Sequence, residues 1–80
     1  EPVEGRFAGR VGELVSLLPQ GVDAEGVSTA GLRYPLRDEP LRAGPARGLS
    51  NVRTEPLARV TLRRGVLLVV ETAGAGTLRR

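Results

Sequence analysis

The chain has 80 residues, with 12 arginines against 9 acidic side chains, a net charge of +3, and no Lys, His, Cys, Met or Trp. That length allows one small domain, and without Cys or His there is no disulfide, thiol nucleophile, imidazole base or Cys/His metal cage. The longest apolar run, Val66–Val70, is too short for a membrane helix, and no charged segment leads into an apolar one as a signal peptide requires.

The start at Glu1, without Met, suggests a mature terminus or a piece of a longer chain. Eleven Gly and six Pro then cut the chain into short segments. Val11–Pro19 alternates with Val11, Val15 and Leu17 on one face and Glu13 interrupting it. A helix stays open there, because Val11, Leu14, Val15 and Leu18 also fit helical spacing. Gly26–Ala30 is a short β-branched strand, and Gly31–Leu36 a strand that Pro35 confines to an edge or bulge. Residues 37–46 read as a loop with a short strand near Leu41, and Gly48–Asn51 as a turn. Leu57–Arg63 places Ala58, Val60 and Leu62 inward. Arg63-Arg64-Gly65 is a hairpin connection into Val66–Val70, which is apolar at every position and reads as buried on both faces. Thr72–Thr77 is too rich in glycine to hold itself and reads as a fraying end.

This pattern predicts an all-β sandwich or barrel, one domain over residues 1–80 with an ordered core at 11–71 and a flexible tail at 72–80. The expected core is Leu32, Leu36, Val60, Leu62, Leu68 and Val70, with Tyr34 buried and its hydroxyl at the rim. Leu67 and Val69 form the expected outer face for a partner, and Arg33 and Arg37 face water. At this size, apolar burial and the entropy of ordering nearly cancel, so a second copy or a neighbouring domain is expected to supply the missing cover.

The motifs that carry chemistry are absent or weak. No glycine-rich loop ends in Lys-Ser or Lys-Thr, so no P-loop exists. The acidic pairs Asp23/Glu25 and Asp38/Glu39 sit beside turn residues and read as solvated. Ser16, Ser28 and Ser50 have no base to activate them. The arginines are scattered, and two aromatics, Phe7 and Tyr34, cannot form a base-stacking platform, which argues against nucleic-acid binding. The chain alone carries no catalytic set.

Four pieces in order, Ser16–Pro19 (SLLP), Gly26–Leu36 (GVSTAGLRYPL), Gly48–Asn51 (GLSN) and Gly65–Val70 (GVLLVV), resemble the C-terminal, thiamine-binding domain of thiamine pyrophosphokinase, over about Gly12 to Glu71. The resemblance implies a small jelly-roll-like β-sandwich completed by dimerisation, with thiamine held between one subunit's sandwich and the other's N-terminal domain. It implies transfer of pyrophosphate from ATP to thiamine in the cytoplasm. Mg²⁺ and ATP would be held by an acidic N-terminal α/β domain that this chain does not contain, leaving the 80 residues inactive alone. Neither nucleic acid nor membrane is an implied partner.

By the same resemblance, Ser50 and Asn51 match the family's pyrimidine-contacting pair. An amide that donates and accepts at once, beside a hydroxyl, suits the edge of an aminopyrimidine. The plain alternative is that Asn51 caps the turn before Val52, and the two roles can coexist. Relatives commonly continue Ser-Asn with Glu, where this chain has Val52, so that carboxylate's role is open, with Glu55 as a possible substitute. Two other readings stand beside the enzyme domain: a dimerisation module of the same fold, and a basic β-barrel that binds nucleic acid.

Overall fold

The computed structural model describes residues 1–44, 49–72 and 74–80; readings that touch Pro45, Ala46, Arg47, Gly48 and Ala73 lie outside them. Among the described residues eight strands run in chain order: β1 (Val3–Ala8), β2 (Leu14–Pro19), β3 (Ala24–Ala30), β4 (Glu39–Leu41), β5 (Leu49–Val52), β6 (Leu57–Leu62), β7 (Val66–Glu71) and β8 (Gly74–Arg79). They form two four-stranded antiparallel sheets, ordered β1-β6-β3-β4 and β5-β2-β7-β8. No helix occurs among the described residues, which removes the helical alternative for Val11–Pro19.

Alternation builds the core. Val15 and Leu17 of β2, Leu67 and Val69 of β7 and Leu78 of β8 face inward from one sheet. Ala24 and Val27 of β3, with Ala58, Val60 and Leu62 of β6, meet them from the other, and Phe7, Val3, Leu36 and Leu41 pack at the margin. This is a sandwich of two inner faces closed over one apolar layer.

Several expectations change. The faces of β7 are reversed: Leu67 and Val69 are buried, whereas Leu68 and Val70 lie on the outer face, half-buried. Residues 63–65 do not make a hairpin, because β6 and β7 belong to different sheets. Residues 74–79 are not a fraying end: β8 pairs with β7 along its length, from Glu71↔Gly74 to Val66↔Arg79. Gly76 has a packing reason, since an added Cβ would meet the Phe7 ring at 3.2 Å. The ordered body also begins earlier than Val11, with β1 paired to β6 from Val3↔Leu62 to Ala8↔Leu57. Ser50 and Asn51 sit in strand β5 rather than in a turn.

The outer faces of the two sheets differ in character. On β1-β6-β3-β4 the outward positions include Glu4, Arg6, Arg59, Thr61 and Ser28. On β5-β2-β7-β8 they include Leu14, Leu18, Val52, Leu68 and Val70, with Leu14 62% exposed. An apolar sheet face left open on one side only is a surface shaped for cover.

Candidate functional site: the corner of the Leu32–Tyr34 segment and strand β5

The segment expected as strand Gly31–Leu36 is irregular, held to the end of β5 by a single bridge, Leu32↔Arg53. Backbone bonds fix it there: Arg33 N donates to Val52 O at 2.9 Å and Thr54 N to Gly31 O at 2.8 Å. Gly31 is required at this approach. Its φ is +83°, and an added Cβ would lie 2.6 Å from Leu57 O. Beyond it, Leu36 N donates to Thr29 Oγ1 and Asp38 N to Ser28 Oγ, each at 2.9 Å, tying the loop back to β3.

Asn51 fastens the corner. Opposite Val15 in the register, it points into the sandwich and is 1% exposed. Its Nδ2 donates to Tyr34 O at 2.7 Å, and its Oδ1 accepts from Tyr34 N at 2.9 Å and Val52 N at 3.0 Å. The bond to Val52 is the local one the sequence allowed for; the two to Tyr34, across 17 residues, are not visible in the sequence. Ser50, one residue earlier and paired with Ser16, faces outward and is exposed.

Tyr34 is not a core residue: it is 57% exposed, with the Arg33 guanidinium 5.6 Å from its ring centroid. The clamp holds the Tyr34 backbone while leaving the ring outside. Arg33 and Arg37 are exposed as expected. Beside the corner lies an open groove of about 540 Å³ lined by Gly31, Thr54, Glu55, Pro56, Leu57 and Arg59, among others.

The residue that sequence reasoning missed is Arg53. It was one of many scattered arginines; in the fold it is 1% exposed, ion-paired to Glu71 of β7, and donates from Nη1 to Phe7 O at 2.5 Å. Its Nε has no partner among the described residues. Only the following signal could have found it: the alternation of β5 carries Asn51 and residue 53 to one inward face. A charge so placed needs its pair, because an unpaired buried guanidinium is far more costly than a paired one.

Three further carboxylates are engaged by near neighbours. Asp23 Oδ1 accepts from Ala43 N at 2.8 Å and Oδ2 pairs with Arg42 at 3.3 Å, while Asp38 pairs with Arg63 at 3.0 Å. The Glu4 carboxyl, hydrogen-bonded by Arg6 Nε at 2.8 Å, is held below the usual carboxylate range by that bond. Among the described residues, no three His, Cys, Asp or Glu side chains gather to hold a metal.

The geometry therefore defines a class: a two-sheet β-domain that presents a built corner, an exposed hydroxyl and an exposed aromatic, beside a groove that Glu55 lines. The family model described as "Thiamin pyrophosphokinase, vitamin B1 binding domain" matches residues 6–67, and the chain belongs to that family, as a thiamine-binding domain. Among solved structures it is similar to thiamine pyrophosphokinase from Bacillus subtilis, with a TM-score of 0.74 and 20% identity over 85% of this chain and 32% of that one. It is likewise similar to thiamin pyrophosphokinase from Geobacillus thermodenitrificans, with a TM-score of 0.75 and 19% identity over the same shares. The chain thus spans about a third of the length of these structures, and at this identity they bear on the fold. No curated protein matches it.

Proposed function

We propose that this domain supplies the thiamine-holding wall of a cytoplasmic thiamine pyrophosphokinase, which transfers pyrophosphate from ATP to the thiamine hydroxyl and releases AMP. The family match over residues 6–67 carries the reading. The chemistry of the corner supports it: a site that binds one substrate needs shape and a few placed polar groups, and no base of its own. In this reading Ser50 makes the direct polar contact to the aminopyrimidine. Asn51, the other member of the pair, acts on the ligand by fixing the Tyr34 backbone, since its own amide is turned inward. Glu55 lines the adjoining groove, and in this reading its carboxylate faces the cationic thiazolium.

The residues present do not fit a Mg²⁺–ATP site. Asp23, Asp38 and Glu71 are each paired with an arginine, and the described residues offer no carboxylate cluster. Metal and nucleotide belong to an N-terminal domain of the enzyme. That domain and a second copy of this chain are the proposed partners. The second copy covers the apolar middle of the outer face of β5-β2-β7-β8, around Leu18, Leu68 and Val70, and leaves Ser50 on β5 and Arg79 on β8 open at the two edge strands; the opposite outer face is polar.

The test is calorimetric titration of thiamine into the enzyme that carries this domain, with Ser50→Ala and Glu55→Gln as variants. Each is expected to weaken binding by about tenfold, near 1.4 kcal/mol, with the fold unchanged. Unchanged affinity in both would remove the corner from the thiamine site and leave the assembly role. The basic β-barrel reading makes a separate prediction, steeply salt-dependent binding to single-stranded DNA, and its absence at low salt disposes of it.

A further inference from the structure

At the opposite end of β7 from the corner lies a second groove, of about 650 Å³, lined by Val22, Asp23, Glu25, Arg64, Gly65, Val66, Arg79 and Arg80. Val66 and Glu71 are five residue steps apart along β7, so the two ends stand roughly 17 Å apart. We propose that this groove binds an organic phosphate: a phosphate monoester carried on a flat apolar body.

The charge balance points that way. Three arginines line the groove, and neither Arg79 nor Arg80 has an ion-pair partner among the described residues. Of the two acids, Asp23 is already engaged by Arg42 and Ala43 N. Glu25 touches Arg64 only at 3.9 Å, a loose pair between exposed side chains. A dianion bound by forked guanidinium donors is the complement such a surplus recognises, and a single carboxylate would leave it under-neutralised. Thiamine, a cation, has the wrong sign for it.

The floor selects the body of the ligand. Val22 is 61% exposed and Val66 half-buried, an apolar strip between the cations. The wall between them is backbone: Gly65 has φ +110°, and an added Cβ would come within 2.9 Å of Asp23 O. Gly65 and Arg80 exchange two backbone hydrogen bonds, Arg80 N to Gly65 O at 3.0 Å and Gly65 N to Arg80 O at 3.2 Å. These pin the backbone of Arg80 against the turn. A mostly apolar recess with a few convergent charges is the usual form of a small-ligand site.

The test is an amide-resolved NMR titration of the chain with phenyl phosphate and, separately, inorganic phosphate at constant ionic strength. The expected result is saturable shifts at Gly65, Val66, Arg79 and Arg80, with phenyl phosphate binding at least about fivefold more tightly than inorganic phosphate. Arg64→Gln combined with Arg79→Gln should weaken phenyl phosphate by about tenfold, and Arg37→Gln should leave it unchanged. Shifts scattered over all the arginines, equal affinity for the two probes, or indifference to the double substitution would each overturn the assignment.

Discussion

Asn51 holds Tyr34 by both of its backbone polar groups: Nδ2 donates to Tyr34 O at 2.7 Å while Oδ1 accepts from Tyr34 N at 2.9 Å. An amide side chain can do this without changing its charge, having donor and acceptor side by side at the spacing a peptide presents. The loop that carries the exposed ring is thereby anchored to a buried strand.

Asn51→Ala should free that loop and leave the Tyr34 N–H and C=O without their side-chain partners. The expected cost is about 1–3 kcal/mol in chemical denaturation, together with weaker thiamine binding. Asn51→Asp keeps the acceptor but sets an oxygen against Tyr34 O, and should be no better. A stability equal to the parent in both variants would show the clamp to be idle.

Arg53→Met should be more damaging than any surface arginine change. It leaves the half-buried Glu71 carboxylate and Phe7 O without the guanidinium, at about 3 kcal/mol. Pairing it with Glu71→Leu should recover part of the loss, because two apolar side chains can replace a buried ion pair. Thermal melts of the two single variants and the double variant decide this; strict additivity would mean that the pair does not couple.

Gly31→Ala combines a left-handed backbone with a Cβ 2.6 Å from Leu57 O. It should cost about 1–3 kcal/mol and shift the corner, lowering thiamine affinity along with stability. Full retention of both would contradict the close approach.

Leu68→Glu and Leu67→Glu should behave oppositely, although the residues are adjacent. Leu68 lies on the outer apolar face, so its substitution should leave a folded chain and abolish the second copy's contact, read as a halved mass in light scattering. Leu67 is fully buried, and a carboxylate there should unfold the domain. A folded dimer in the Leu68 variant would place the contact elsewhere.

The strands that alternate were legible from their residues. Ala58, Val60 and Leu62 turn inward as expected, and the short strand at Leu41 is present. β7 was not, because five consecutive apolar residues carry no phase. Its one charged residue, Glu71, would argue for an outward face, yet it turns inward to meet Arg53. β8 escaped notice because glycines lack the side chains that sequence patterns are read from; its partner strand and the Phe7 ring supply the order instead. Tyr34 looked like core because aromatics usually are, and nothing local in GLRYPL reveals a clamp reaching from 17 residues away. At the candidate site the Ser-Asn pair was readable as text, while its division into an outward hydroxyl and an inward amide depended on the β5 register.

The chain changes sheet at the β1–β2, β2–β3, β4–β5, β5–β6 and β6–β7 connections, and stays within a sheet only at β3–β4 and β7–β8. Threaded this way, neither layer can peel off while its companion survives, since each layer is joined to the other by five connections. Opening should therefore be all-or-none, with amides of both layers exchanging by one global route. Folding should be slow for so short a polypeptide, because few of its pairings close between neighbours in the sequence.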